Sequence, residues 1–208
     1  MSQPLQDSVL VRRAARGDGI AFSELVNRHY RRAVRVAFGM LKDRDEAEDV
    51  AQEAFARVYR RLGDFEGNSS FYTWLYRIVV NLSIDTIRSR KRLRRMDDDG
   101  SDPSGAAAAT LWPQLDTTHP GLNAERRQLG ERLNQAFNGL SEIHQAVILL
   151  RELEGLSYEE IAQTLGIKKG TVMSRLFNAR RAMQEGFVSL DSEAESEDDV
   201  APEGSMGA

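Results

Sequence analysis

The stretch from residue 156 to residue 181 combines a turn glycine with side chains that can bind nucleic acid. Ser157 and Glu160 form a capping-box pattern, which predicts that a helix begins here, and Gly166 suits a tight turn after it. Val172 and Leu176 give the following helix a buried face. Its other face carries polar and basic side chains: Lys168, Lys169, Thr171, Ser174, Arg175, Asn178, Arg180 and Arg181. This spacing predicts a helix-turn-helix whose second helix enters a DNA major groove.

The residue types on that second helix match the groups that DNA presents. Arginine can form two hydrogen bonds with guanine and asparagine can do so with adenine, whereas lysine more often holds a phosphate. The alternative is a solvated helical hairpin packed on a core. Because the capping box, turn glycine, apolar plug Ile167 and basic second helix occur together, the sequence favours DNA binding over a purely structural role.

Composition excludes several other classes of function. The 208 residues include no cysteine, so neither a disulfide framework nor a thiolate metal site can form. His29, His119 and His144 are scattered without metal-ligand spacing, and no glycine-rich phosphate loop is present. We therefore expect no enzyme activity, no metal and no cofactor. The polar N-terminus and the absence of a long apolar run predict a soluble intracellular protein that does not insert into membranes.

Charge is distributed unevenly along the chain. The net charge is −4, but seven acidic residues and no basic ones lie between residues 191 and 203; the remainder carries 25 acidic and 28 basic residues. Six cations also cluster between Arg88 and Arg95. Such a cluster alone would suit a solvated helix end equally well. Beside a helix-turn-helix, it favours contact with a polyanion.

Helical periodicity runs through most of the chain, and strand patterns are scarce. We predict an all-α fold of two small helical domains, a helical bundle and a helix-turn-helix domain, joined by a flexible linker. The predicted boundaries are residues 1–95, 96–122 and 123–188, followed by a disordered acidic tail at 189–208. Within these domains, Asp43 or Asp45 and Ser69 or Ser70 are candidate helix caps, with Ser141 capping a later helix that ends at Gly155.

Three segments carry a recognisable pattern: residues 45–55 (DEAEDVAQEAF), 71–81 (FYTWLYRIVVN) and 156–180. In this order they resemble bacterial sigma factors of the sigma-70 family, in the extracytoplasmic-function (ECF) group and close to the sigma-E type. The resemblance covers about residues 8–188 apart from the linker. It implies a protein that binds core RNA polymerase, directs it to a promoter and assists promoter melting.

The resemblance also implies roles for residues of the N-terminal domain, which corresponds to sigma domain 2. The polar side of the helix after Asp45 would dock on the clamp helices of the largest polymerase subunit through Asp49, Gln52 and Glu53. A loop would then take a base flipped out of the −10 element, since a ring can stack on a base and an amide can bond its edge. The −10 candidates are Phe65, Gly67, Asn68, Ser69, Asn81, Asp85, Arg88, Arg90, Lys91 and Arg92. For Phe65 the alternative is a ring tucked into the core, and Trp74 fits a core position better than a base wedge.

In the C-terminal domain, which corresponds to sigma domain 4, the resemblance implies that the helix-turn-helix binds the −35 element. The candidates are Lys168, Lys169, Thr171, Met173, Ser174, Arg175, Phe177, Asn178 and Arg180. Met173 and Asn178 depart from the pattern, because family members of this type often have Arg or Lys at the first position and Arg at the second. The −35 preference is therefore expected to differ.

The linker length fits a protein that works on a larger scaffold. Twenty-seven residues average roughly 30 Å end to end as a free coil and reach about 90 Å when stretched. Promoter elements two helical turns apart lie roughly 70 Å apart, so something must hold the linker extended. Core polymerase would do so, and an anti-sigma protein is the expected silencing partner. The alternative function is a stand-alone helix-turn-helix regulator, which would bind an operator without polymerase.

Overall fold

The protein is helical throughout the residues that the structure describes. The structure is a computed structural model that describes residues 6–96 and 120–198, with side chains described for residues 6–93 and 128–189. The helices are α1 (Asp7–Ala14), α2 (Gly19–Leu41), α3 (Arg44–Arg60), α4 (Phe71–Met96), α5 (Pro120–Asn138), α6 (Glu142–Ile148), α7 (Tyr158–Leu165) and α8 (Lys169–Asp198). A 3₁₀ turn spans Leu62–Asp64 and a π turn spans Leu149–Leu153. The described ranges contain no strand, so the prediction of an all-α fold is confirmed.

Helices α1 to α4 form the N-terminal bundle, and side-chain caps fix where its helices begin. The Asp18 carboxylate accepts hydrogen bonds from the backbone N–H groups of Ile20 and Ala21, each at 3.1 Å. Asp43, one of the two predicted caps, accepts from Glu46 N at 3.0 Å. Ser70 Oγ accepts from Thr73 N at 3.3 Å. Each such cap satisfies a helix-end donor, which typically stabilises a helix by about 1 kcal/mol.

The bundle core is built from the predicted apolar stripes. Leu25, Ala33 and Val36 of α2 are fully buried, as are residues of α3 and α4 at helical spacing: Ala47, Ala51, Ala54, Val58, Leu75, Tyr76 and Val79. Buried side chains stabilise by removing apolar area from water, so this core sets the relative positions of α3 and α4. Helix α3 carries the predicted polymerase-binding residues, and the predicted −10 residues lie on α4 and in the loop before it.

Helices α5 to α8 form the C-terminal module. The capping box is confirmed: Ser157 Oγ accepts from Glu160 N at 3.2 Å, and a Glu160 carboxylate oxygen accepts from Ser157 N at 2.8 Å. Gly166 ends α7 with a left-handed φ of 64°, which glycine adopts without steric cost. Ile161, Val172, Leu176 and Ala179 are buried together, so α8 presents its remaining face outward.

Several boundaries differ from the predicted ones. Helix α5 begins at Pro120, inside the predicted linker, because proline suits the first turn of a helix. Helix α8 continues to Asp198, into the predicted disordered tail, since residues 187–198 contain no glycine or proline and several good helix formers. Residues 97–119 and 199–208, which hold most of the linker and the end of the tail, lie outside the described residues. Ser141 occupies the expected N-cap position, but its hydroxyl bonds to His144 Nδ1 instead of a backbone N–H.

Within the described ranges, no helix has both the length and the apolar content needed to span a membrane. The same ranges contain no cluster of three or more acidic or histidine side chains that could hold a metal ion.

We expect Leu176→Ala to destabilise the C-terminal module by about 3 kcal/mol, because it empties a buried site under the outward face of α8. Met173→Ala, three residues earlier and 52% exposed, is the matched control and should change the free energy of unfolding by less than about 0.5 kcal/mol. Chemical denaturation followed by circular dichroism measures both. Equal effects of the two substitutions would contradict this placement of the helix.

Candidate nucleic-acid interface

The first turns of α8 expose the side chains predicted to bind the −35 element. Lys168, Lys169, Met173, Ser174, Phe177, Asn178 and Arg180 are exposed, and Thr171 and Arg175 are partly exposed. Val172, Leu176 and Ala179 are buried on the opposite face. The structure therefore gathers all nine predicted −35 residues on or beside one accessible helix face, at the helix end that a helix-turn-helix inserts into the major groove.

Some polar groups on this face are already engaged within the protein. Lys169 forms an ion pair with Glu159 of α7, and Arg180 forms one with Glu152 of the π turn. Ser174 Oγ donates to Thr171 O at 3.1 Å. Ion pairs between exposed side chains are weak, at about 0–1 kcal/mol, so a phosphate could take either cation from its carboxylate.

The loop between α3 and α4 holds four of the predicted −10 residues. Gly67 has a φ of 75°, a backbone conformation that favours glycine. Asn68 Nδ2 donates to Glu66 Oε2 at 2.7 Å, and Ser69 is partly exposed. Phe65 is partly buried, with its ring centre 5.0 Å from that of Trp74. The structure therefore matches neither alternative fully: the Phe65 ring packs on Trp74, as a core residue would, but part of it stays accessible to a base.

The exposed side of α4 carries the other predicted −10 residues. Asn81, Asp85, Arg88 and Arg92 are exposed along it. Arg90 is different: its Nε donates to Glu46 at 2.8 Å and its Nη1 to the Leu41 carbonyl at 3.2 Å. Arg90 therefore also ties α4 to α2 and α3, a structural role that the sequence analysis missed.

The predicted polymerase-binding residues lie together on α3. Asp49 and Gln52 are exposed, and Glu53 is partly exposed. Arg57 Nε donates to Glu53 at 2.8 Å and Arg60 Nη2 at 3.2 Å, and these bonds lower the pKa of the Glu53 carboxyl from its ordinary value. The face is thus polar, acidic at one end and accessible to a partner.

A buried carboxylate lies at the contact between the two modules. Glu154 follows the π turn, and its side chain is fully buried between residues of the N-terminal bundle. Arg32 Nε lies 3.0 Å from Oε2, Arg35 Nη2 lies 3.0 Å from Oε1, and the Tyr76 hydroxyl donates to Oε2 at 2.6 Å. Burial and the bond to Glu154 raise the pKa of Tyr76, so this hydroxyl stays protonated and acts as the donor.

Three further polar contacts join the modules, and in each the hydrogen-bond donor lies on the N-terminal bundle. Arg77 of α4 donates to the Gln163 carbonyl of α7, with Nε at 3.1 Å. The Tyr72 hydroxyl bonds to Glu160, and Lys91 pairs with Glu142 at the start of α6. Lys91, a predicted −10 cation, is therefore held by the other module. We call the set formed by Glu154 and these contacts the intermodule interface.

Lys42 adds a contact between the modules in which an amine lies over an aromatic ring. It ends α2 with a left-handed φ of 61°, unusual for a residue other than glycine. Its Nζ lies 4.2 Å from the centre of the Phe137 ring of α5. A ring face attracts a charged amine, but it does not replace the water lost on burial, which lowers the pKa of Lys42 to about 7.

The intermodule interface could not be found from sequence periodicity. The spacing of Leu150 and Leu153 predicts a continuous α-helix up to Gly155, whereas the structure has a π turn there. A π turn rotates the following residues relative to an α-helix, which brings Glu154 to the bundle. The signal that was available was an acidic residue next to a turn glycine, which is too common to assign.

We expect Glu154→Gln to loosen the intermodule interface by about 1–2 kcal/mol, because the amide removes the counter-charge of Arg32 and Arg35, both of which are partly exposed to water. The chain has no cysteine, so fluorophores on Ser23→Cys and Gln184→Cys report the intermodule distance by energy transfer. Transfer should fall in Glu154→Gln and stay unchanged in Glu152→Gln, whose carboxylate pairs within the C-terminal module. An equal response of the two variants would argue against the interface.

We call the arrangement with the intermodule interface formed the closed form. In the same labelled protein, the population of the closed form should increase as the pH rises from about 7 towards 10.5. An exposed lysine keeps its proton through this range, whereas Lys42 in the closed form loses it above about 7. Closure therefore releases a proton, and higher pH favours closure; below about 7 the dependence disappears. Lys42→Met keeps the apolar stem and removes the titration, so it should abolish this part of the pH profile. An unchanged profile in Lys42→Met would contradict the assignment.

Comparison with known proteins gives a consistent family for both modules. The sigma-70 region 2 family matches residues 25–93, and the sigma-70 region 4 family matches residues 130–183. The chain is 38% identical to an RNA polymerase sigma-H factor of Pseudomonas aeruginosa, covering 91% of this chain and 97% of that one. It is also 38% identical to an ECF RNA polymerase sigma-E factor of Escherichia coli, covering 88% and 95%.

Solved structures agree with this family at the level of the fold. CnrH, in complex with the cytosolic domain of CnrY, aligns with a TM-score of 0.62 at 24% identity, covering 89% of this chain and 97% of that one. The sigma factor RpoE of Bartonella quintana, in complex with the anti-sigma factor NepR, aligns with a TM-score of 0.59 at 26% identity, covering 82% and 98%. Both modules, their order along the chain and the sequence identity lead to one conclusion: the chain belongs to the sigma-70 family of RNA polymerase sigma factors, in its ECF group.

Proposed function

We propose that this protein is an alternative sigma factor that acts by binding and carries out no chemical reaction itself. It joins core RNA polymerase, brings it to promoters with particular −10 and −35 elements and helps to open the duplex. The observation that supports this most directly is that the sigma-70 region 2 family matches one module and the region 4 family matches the other. A stand-alone regulator would need a second copy to bind paired half-sites, and no feature of the described residues supplies a dimer seam.

Asp49, Gln52 and Glu53 are the proposed contacts with the clamp helices of the largest polymerase subunit. Their accessibility on one face of α3 supports this role. Loss of a charge partner at an interface typically weakens binding by roughly 2–5 kcal/mol.

Phe65, Gly67, Asn68, Ser69 and Asn81 are proposed to hold an extruded base of the −10 element. Trp74 fixes the Phe65 ring from behind, so the accessible part of that ring is already ordered before a base arrives. Prior ordering lowers the entropic cost of binding. The exposed cations further along α4 would then follow the phosphates.

The intermodule interface must open before both elements can be bound. Asn81 lies one helical turn from Arg77, about 6 Å along α4, and Arg77 bonds directly to Gln163. Gln163 and Lys169 are six residues apart, at most about 23 Å. The Arg77 side chain and its hydrogen bond add roughly 12 Å. Asn81 of one proposed DNA-binding surface and Lys169 of the other therefore lie at most about 40 Å apart. The promoter elements lie about 70 Å apart, so the closed form cannot span them.

The wider cellular setting follows from the same proposal. A protein that serves RNA polymerase works in the cytoplasm. The RpoE chain of Bartonella quintana was solved with an anti-sigma factor, and we expect a partner of that class to control this protein as well.

Run-off transcription tests the function. Purified core polymerase and this protein are incubated with a promoter library randomised at both elements. We expect transcripts only when both proteins are present, and a gel shift of the selected promoter only with the assembled holoenzyme. A shift by the protein alone would favour the stand-alone regulator instead. Loaded polymerase that initiates no better than core alone would refute the proposal.

A charge reversal on α3 tests the polymerase contact. We expect Asp49→Lys to weaken binding to core polymerase at least tenfold, measured by fluorescence anisotropy without DNA. Arg44→Glu is the control: it reverses a charge on the same helix at a side chain that is 82% exposed and pairs with Glu48 one turn away. The control should change the affinity less than twofold. A wild-type affinity for Asp49→Lys would remove this residue from the interface.

A further inference from the structure

Two large apolar side chains stand out on the DNA-facing side of α8. Phe177 is 66% exposed and Met173 is 52% exposed. They are four residues apart, so their side chains are neighbours on one helix face. The buried face of the helix is already supplied by Val172, Leu176 and Ala179, so packing of the domain does not account for the pair.

The polar groups around the pair show what kind of surface would cover it. Lys169 lies one turn before Met173, and Arg180 lies three residues after Phe177, so these two cations flank the pair on the same helix face. A ligand that covers Met173 and Phe177 therefore meets a cation at each end, and an anionic ligand fits this field. In the DNA major groove, bounded by phosphates, the apolar group that a base edge presents is the C5 methyl of thymine.

We propose that Met173 and Phe177 together form a binding site for thymine methyl groups in the −35 element. This inference rests on the proposed function and adds a chemical preference to it. Methionine is flexible and polarisable, so it can fit closely around a methyl group, while the Phe177 ring offers a flat apolar surface. The hydroxyl of Ser174 donates to Thr171 O, so the apolar pair adds a contact of a different kind from the polar one that exposed Asn178 can make.

The site predicts a preference that differs from that of an arginine at position 173. An arginine there would favour guanine through its two hydrogen bonds. The Met173 and Phe177 pair favours thymine over cytosine, because only thymine presents a C5 methyl group that the apolar pair can bury. Burial of one methyl-sized group corresponds to about a fourfold change in affinity.

The test removes the methyl group and nothing else. The promoter selected by the run-off library is resynthesised with deoxyuridine in place of each −35 thymine in turn, and holoenzyme affinity and run-off yield are measured. We expect a loss of about fourfold at one or two adjacent thymines. Met173→Ala and Phe177→Ala should bind the thymine promoter more weakly and lose this sensitivity to deoxyuridine. Gln184→Ala, exposed two turns further along α8, should keep the wild-type sensitivity.

A gain-of-contact arm uses 5-methylcytosine. Cytosine at the sensitive position should weaken binding, and 5-methylcytosine should restore part of it for the wild-type protein but not for Met173→Ala. Indifference of the wild type to deoxyuridine at every −35 thymine would overturn the inference, even though transcription itself would still support the proposed function. Weaker binding of Phe177→Ala to core polymerase in the absence of DNA would also overturn it, because the pair would then serve a protein partner. No promoter-dependent transcription by the wild type would instead refute the proposed function.

Discussion

The arrangement of the two modules depends on one carboxylate removed from water. The Glu154 side chain is fully buried, and three groups of the N-terminal bundle supply its charge partners and its hydrogen bond. A buried charge is costly unless it is paired and hydrogen-bonded, so the closed arrangement is specific: a small displacement of α6 or α4 would leave the carboxylate unsatisfied. Arg32 and Arg35 are each 46% exposed at their side chains. Water can therefore reach the site from the arginine side, which lowers the barrier to opening compared with a fully enclosed pair.

The division of each helix into a buried apolar face and an exposed polar face explains how the proposed binding surfaces are organised. Each module buries an apolar helix face and leaves the proposed binding residues on the opposite face of the same helix. On α3, Asp49 lies opposite Ala47 and Ala51, and on α8, Asn178 lies opposite Leu176. Because these helices are fixed by packing, their outward side chains are ordered relative to one another. Across the modules, the buried apolar side chains of the described residues form one continuous cluster, and the polar contacts around Glu154 add to it. Separation of the modules therefore has to expose apolar surface as well as break these polar contacts.

Much of this organisation was accessible from the sequence. Local signals are strong where one residue determines a conformation, as for the capping box of Ser157 and Glu160, the turn at Gly166 and the cap at Asp43. The exposed residues of α8 followed from helical spacing alone. The intermodule interface did not, because it depends on residues separated by 78 positions for Tyr76 and Glu154 and on a π turn that periodicity reads as α-helix. Arg90 was predicted as a DNA ligand from its charge, whereas its bonds to Glu46 and Leu41 depend on tertiary structure.

Helix α4 is a single uninterrupted helix of 26 residues, and this continuity has a consequence for the order of events. Two residues of α4 lie one turn apart: Arg77, which donates a hydrogen bond to the Gln163 carbonyl of α7, and Asn81, which is proposed to face the promoter. A DNA strand that binds beside Asn81 would contact the edge of α7, so the strand and α7 would compete for the same space. Release of the C-terminal module would then precede capture of the separated strand, and each captured strand would in turn prevent the module from returning.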